Sequence, residues 1–318
     1  MPRADRSFRS RLIAAADEAA GNTAAMLLRV LRLFPRRGSA NAMAAAARAI
    51  GPLTKEHRIG RDNLKAAFPE KSGAEIEAIL KGVWDNLGRV AGEFAHIDRI
   101  RTAIGSDAAH GKDAGDVDFS PETEQLFRQL QDDGKPALIF AAHLANWELP
   151  AQIAQTFGLD TAVLYRRPNL GAVADAITRI RSGSMGTLIA TGLDAPVRLA
   201  EALEAGRHVA MLVDQYYVRG VEVTFFGQRT RANPLLARLA RQVDCPIHGT
   251  RIVRLPGGRF RAELTEAIPP VRDTDGSIDI AGTMQAITTV IENWIREHPE
   301  QWLWVHRRWR PQDAPFKR

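Results

Sequence analysis

His143 and Glu148 are the residues whose types and spacing most directly suggest chemistry. They place a titratable imidazole and a carboxylate five positions apart in Ala141-Ala142-His143-Leu144-Ala145-Asn146-Trp147-Glu148-Leu149-Pro150. An imidazole readily takes and returns a proton near neutral pH, and a carboxylate on its second nitrogen fixes the tautomer and raises its basicity. The spacing decides how the two could meet. Five residues of α-helix rotate the chain by about 500°, so on one continuous helix the side chains would stand roughly 140° apart and share no face. The pair therefore requires a turn. With His143 on a loop past a strand and Glu148 in the first turn of the next helix, the carboxylate could reach back to one ring nitrogen. The other nitrogen would then serve as base toward a hydroxyl nucleophile.

The flanking residues predict that turn. Residues 136–142 are short and apolar, follow Gly134, and read as a buried strand. Pro150 is compatible only with a first helical turn, which starts the helix near Asn146 or Trp147 and ends it near Thr156 or Phe157. Further strands are predicted over 161–165, 209–213 and 247–253, alternating with helices over 170–181, 196–205, 234–242 and 280–297. That alternation argues for an α/β fold: a mixed, largely parallel sheet flanked by helices, behind a helical amino-terminal region. Ser72-Gly73-Ala74-Glu75 offers a capping box for a helix whose Ile76, Ile79, Val83, Leu87, Val90 and Phe94 lie on one core-facing side. The Gly- and Asp-rich stretch 105–118 reads as a surface loop before a helix opened by Ser120-Pro121. In an open α/β sheet the ligand site lies beyond the carboxyl ends of the strands, where His143, Arg167 and Asp214 all fall.

Several blocks, in order along residues 55–310, resemble those of one family. The His-x4-Glu segment is similar to the His-x4-Asp/Glu motif of the glycerolipid-type acyltransferases. Arg61-Asp62-Asn63-Leu64-Lys65-Ala66-Ala67-Phe68-Pro69, Tyr165-Arg166-Arg167-Pro168-Asn169 and Met211-Leu212-Val213-Asp214-Gln215 resemble blocks of one branch, the bacterial lipid A biosynthesis acyltransferases of the late, lauroyl/myristoyl type. Phe225-Phe226-Gly227 and the closing Pro299-Glu300-Gln301-Trp302-Leu303-Trp304-Val305-His306-Arg307-Arg308-Trp309 are similar to further segments of that branch. The resemblance implies transfer of a fatty acyl chain from acyl carrier protein, or from coenzyme A, to a hydroxyl of a 3-hydroxyacyl chain on a (Kdo-)lipid A precursor. His143 would be the general base, with Glu148 orienting it. Arg167, Asn169, Asp214, Gln215, Arg307 and Arg308 would contact the oxyanion, a phosphate or other substrate groups. No cofactor beyond the acyl co-substrate is implied. The nearest alternatives are transfer to another membrane lipid, such as a phosphatidylinositol mannoside, an ornithine lipid or a glycerolipid, and a non-enzymatic peripheral membrane protein with the same fold.

Composition fits this reading. The 318 residues carry a net charge of +6, dominated by arginine, whose planar fork suits phosphates and carboxylates. No basic-aromatic recognition module accompanies the charge, so nucleic acid is not an expected partner. The arginines of residues 229–231 and of 306–310, the latter beside Trp309, could face a membrane surface. Residues 24–37 are basic and amphipathic, with Leu27, Leu31 and Phe34 along one side and Arg29, Arg32 and Arg36 along another, suited to the headgroup layer. Residues 1–54 are accordingly read as a membrane-associating region and 55–318 as the acyltransferase domain. No run is apolar and long enough to span a bilayer, and no signal-peptide core is evident, so the expected place is the cytoplasmic face of the inner membrane. Cys245, the lone cysteine, rules out an intrachain disulfide and reads as a buried small apolar residue, and the histidine spacings imply no metal.

Overall fold

The structure is a computed structural model and describes residues 3–102, 115–167 and 171–310. Four helices open the chain: α1 (Arg3–Leu31), α2 (Arg36–Ile50), α3 (Lys55–Ala67) and α4 (Gly73–Phe94). Then follow β1 (Val117–Phe119), α5 (Pro121–Asp132), β2 (Leu138–Ala141), α6 (Leu149–Thr156), β3 (Thr161–Tyr165), α7 (Gly171–Ser182), β4 (Thr187–Ala190), α8 (Ala195–Glu204) and β5 (His208–Leu212). The hairpin β6 (Val221–Phe225) and β7 (Gln228–Ala232) precedes α9 (Leu235–Val243), β8 (Ile247–Leu255), β9 (Arg259–Leu264) and α10 (Ile280–Glu297).

Seven strands form one sheet in the order β1-β9-β8-β2-β5-β3-β4. β2 pairs in parallel with β5 and β8, and β3 with β5 and β4, while β9 runs antiparallel to β8. The fold is thus the mixed, largely parallel α/β arrangement expected. Because side chains alternate across a strand, Leu138 and Phe140 of β2, with Ala142, enter one core, and Ile139, Ala141 and His143 face the other side. The first core holds α8, α9, α10 and the buried side of α4; the second is built with α5 and α6.

Two local expectations hold in detail. Ser72 and Glu75 cap α4 reciprocally, and Ile76, Val83, Val90 and Phe94 are buried along it. Cys245 is buried and unbonded, and the apolar surroundings push its thiol up to about 11. Other expectations are corrected. The stretch 105–118 is not loop throughout: residues 103–114 lie outside the described residues, and Val117–Phe119 is an edge strand recruited by β9. β4, β6, β7 and β9 also lie outside the strands predicted from sequence; they are short or carry charged residues on one face, which hides their apolar period. The amphipathic stretch 24–37 is broken by Pro35 into the end of α1, a turn, and the start of α2. Leu31 is buried there, whereas Leu27 and Phe34 stay exposed.

The helical region is bound tightly to the sheet domain. α2 lies so close to α4 that a Cβ on Gly88 would stand 2.4 Å from the Met43 carbonyl oxygen, and one on Gly92 would stand 2.6 Å from that of Ser39. The segment after α10 closes the fold. Trp302 and Trp304 are almost fully buried, in edge-to-face contact with each other and against Phe225 and Phe226. The side-chain amide of Asn63 on α3 donates to the carbonyls of Trp304 at 2.7 Å and His306 at 2.6 Å, tying the amino-terminal helices to the carboxyl-terminal segment.

Candidate active site

His143, Arg167 and Asp214 each lie two residues beyond the last residue of a parallel strand, β2, β3 and β5 respectively. β2 and β5 are neighbours, so the two loops start side by side. The loop after β2 is clamped as well as placed. Ala145 adopts a left-handed backbone with φ +46°, its N–H donates to the Gln301 carbonyl at 2.9 Å, and Leu303 N–H donates to the His143 carbonyl at 3.2 Å. From α4, the Asn86 amide donates to the carbonyls of Ala145 (3.2 Å) and Gln301 (3.1 Å), so the helical region, the loop after β2 and the closing segment share one set of bonds.

The partner of His143 is Asp214, not Glu148. His143 Nδ1 lies 2.8 Å from Asp214 Oδ1, and the His143 backbone N–H donates to Oδ2 at 2.9 Å. Trp302 Nε1–H donates to the same Oδ2 at 2.7 Å. Burial alone would raise the Asp214 carboxyl, but its electrostatic attraction to His143, with the hydrogen bonds from the His143 ring and backbone, outweighs burial and holds it well below the usual carboxylate range. An ionised Asp214 keeps the proton on Nδ1 and leaves the Nε2 lone pair outward. There the Gln215 amide approaches at 3.3 Å.

Glu148 is taken by another partner. It caps α6 instead of lying inside its first turn, because the tight turn at Ala145 and Asn146 delays the helix to Leu149. The turn sets the Trp147 ring tilted against His143, with centroids 5.3 Å apart, and carries Glu148 to α7. There it receives both arms of Arg181, Nε at 2.8 Å and Nη2 on the other oxygen. Both members of this pair are largely buried, and Arg181 also lies over the rings of Phe94 and Tyr165.

His143 and the Glu148–Arg181 pair line one cavity of about 490 Å³, within the range of small-molecule sites. His143, Trp147, Glu148 and Arg181 line its mouth at the carboxyl edge of the sheet, and Thr161 and His208 line it at the amino edge. Between them the wall is apolar, including Phe127, Ile139, Ala154, Val163, Leu188 and Leu264. The result is a slot running along the strands between the sheet and its helices. Such a slot suits an extended hydrocarbon chain.

The other sequence candidates fall in different places. Gln215 is at the His143 ring, as described. Arg166 lines the cavity and Arg167 is exposed beside it; Asn169 lies outside the described residues. Arg307 is exposed on the closing segment. Arg308 does not reach the site: it is buried, donates to Thr230 Oγ1 at 2.8 Å and the Arg231 carbonyl at 2.9 Å, and lies over the Phe225 ring. Its charge fastens the closing segment to the β6–β7 hairpin. Arg229 pairs with Glu222, so residues 229–231 are anchored to the hairpin and closing segment rather than forming a free basic face. Sequence reasoning missed Arg181 and the roles of Trp302 and His306. His306 donates from Nδ1 to the Leu303 carbonyl, and burial pushes it down to about 4, so it is a neutral ring packed on Trp302.

Among the described residues no group of three or more His, Cys, Asp or Glu is placed to hold a metal ion, and no helix is long and apolar enough to cross a membrane. A family model described as bacterial lipid A biosynthesis acyltransferase matches residues 16–311. No curated protein matches the chain.

Proposed function

The chain belongs to the bacterial lipid A biosynthesis acyltransferase family and is an acyltransferase, and from that premise we propose that it moves a lauroyl-type acyl chain from acyl carrier protein to a hydroxyl of a 3-hydroxyacyl chain on a (Kdo-)lipid A precursor, at the cytoplasmic face of the inner membrane. The observation that carries this reading is the His143–Asp214 pair at the mouth of an apolar slot. The acceptor hydroxyl replaces the Gln215 amide at His143 Nε2 and gives its proton to that nitrogen as its oxygen attacks the thioester carbonyl. The tetrahedral intermediate collapses with release of the thiolate, which recovers the proton from the imidazolium. The acyl chain lies in the slot, its carbonyl at the mouth.

Asp214 supplies the orienting carboxylate in this mechanism and stabilises the imidazolium without taking its proton. Glu148 fixes Arg181, and these two with Arg166 set the electrostatics of the mouth, where a positioned cation beside a developing oxyanion contributes on the order of 3 kcal/mol. Arg167 and Arg307 are exposed cations whose planar guanidinium groups suit acceptor phosphates. Exposed Leu33 and Phe34 at the α1–α2 turn support a membrane-associating role for residues 1–54, although α2 within that stretch also packs on α4.

The test is a reconstituted assay with lauroyl-acyl carrier protein, lauroyl-coenzyme A and a panel of acceptor lipids. Transfer to the lipid A precursor, abolished by His143→Ala in a protein of unchanged fold, is the expected result. Transfer only to another lipid would overturn the acceptor, and appreciable activity of His143→Ala would overturn the mechanism.

A further inference from the structure

Two loops at the carboxyl edge of the sheet, each contributing residues to the cavity wall, carry apolar side chains into solvent. Leu193, in the β4–α8 loop, is fully exposed at 103%, two residues after the cavity-lining Thr191. Val197 on the first turn of α8 is 60% exposed, and Val218 in the β5–β6 loop 55%. Tyr217 and Leu212 are partly exposed and line the cavity itself. Isolated exposed apolar residues are ordinary, but Leu193 and Val218 project from separate loops at the carboxyl edge of the sheet, each within two residues of a side chain that lines the apolar slot.

The β5–β6 loop is a built projection. Gly220 N–H donates to the Tyr217 carbonyl at 2.9 Å, which closes a tight turn with Val218 and Arg219 at its tip, and Arg231 Nη1 donates to the Val218 carbonyl at 3.1 Å. Cations share the rim: Arg166 and Arg219 are exposed, and Arg310, also exposed, lies over the Tyr216 ring at 4.3 Å. The exposed acid on these loops is Asp194, which pairs with Arg198. Apolar tips among cations match the boundary of an anionic bilayer, where the tips enter the acyl layer and the cations meet the headgroups. An acidic carrier protein would use the cations but leave the Leu193 and Val218 tips in water.

We propose that the carboxyl edge of the sheet is the membrane-docking face, with Leu193 and Val218 entering an anionic bilayer so that the cavity mouth opens directly onto membrane lipid. The inference rests on the proposed lipid acceptor: an acceptor whose reactive hydroxyl sits on an acyl chain reaches His143 from the bilayer without leaving it.

The experiment is co-sedimentation of the full chain with vesicles of phosphatidylglycerol and phosphatidylethanolamine, or of phosphatidylcholine alone, for wild type and for Leu193→Glu/Val218→Glu. Wild type should partition to the anionic vesicles, less at high salt, and the double variant should partition about tenfold less or weaker still. Acyl transfer to acceptor dispersed in detergent micelles should stay within about twofold of wild type, since neither side chain lines the cavity. Unchanged vesicle binding by the double variant overturns the proposal. So does unchanged vesicle binding with a raised KM for carrier-protein-bound donor, which would assign the rim to the carrier protein. Loss of vesicle binding on Leu33→Glu/Phe34→Glu but not on the loop variant would assign docking to the α1–α2 turn instead. If wild type transfers to no acceptor, the proposed function fails while the vesicle measurement still reads the docking face.

Discussion

Asp214→Asn isolates the contribution of one charge. Asp214 is completely enclosed and accepts three hydrogen bonds, from His143 Nδ1, the His143 backbone and Trp302 Nε1. The amide keeps the shape of the carboxylate but replaces one acceptor oxygen with a donor, which must then face one of three donors. When His143 takes the acceptor's proton, the imidazolium and carboxylate charges stand about 4 Å apart, worth about 4 kcal/mol at an effective dielectric of about 20. At about 1.4 kcal/mol per tenfold, kcat should fall roughly a thousandfold, and further if the amide stabilises the wrong tautomer. KM for the acyl donor should change little, because the slot that holds the chain does not involve Asp214. The assay is single-turnover transfer with the fold checked by circular dichroism. A folded variant with less than about a tenfold loss in kcat would refute Asp214 as the partner that matters.

Other outcomes follow from the same geometry. Trp302→Phe removes one charge-assisted bond to Asp214 while keeping most of the ring, and should lower kcat by about tenfold or more, since such a bond is worth about 1.5–3 kcal/mol; steady-state kinetics checks this. Glu148→Ala and Arg181→Ala should each destabilise by about 3 kcal/mol by stranding a buried charge, and the double variant should cost clearly less than the sum in urea unfolding. Gly88→Ala should destabilise by about 1–3 kcal/mol through the forced separation of α2 from α4, read as a lowered Tm. Acidification should also weaken the fold. With His306 held neutral to about pH 4 in the native state but titrating near 6.5 when unfolded, the unfolded chain binds the extra proton first. Stability therefore falls from about pH 6.5 toward 4 by up to about 3 kcal/mol from this residue, and His306→Phe should flatten that part of the urea-midpoint profile.

What was legible in the sequence divides along physical lines. The α/β class, strand 161–165, helix 280–297 and the capping box at Ser72 each rest on a strong local period or cap, and each appears as read. The carboxyl-edge placement of His143 and Asp214 also followed from local pattern. Their pairing did not, because 71 residues separate them and only the parallel contact of β2 with β5 brings them together. The five-residue spacing favoured Glu148 as the partner, but the left-handed turn at Ala145 and the presence of Arg181 on a later helix decide otherwise. The family resemblance made Arg308 a substrate cation; its burial against Phe225 depends on how residues 299–310 fold back onto the β6–β7 hairpin. The Asn63 block likewise acts at a distance, holding the carbonyls of Trp304 and His306.

The central claim is tested most directly by mass spectrometry of lipid A from cells lacking the gene, complemented with wild type, His143→Ala or Asp214→Asn. The expected result is loss of one secondary acyl chain in the deletion, restored by wild type, not restored by His143→Ala, and restored at most partially by Asp214→Asn. Unchanged lipid A in the deletion, or full restoration by His143→Ala, would contradict the account.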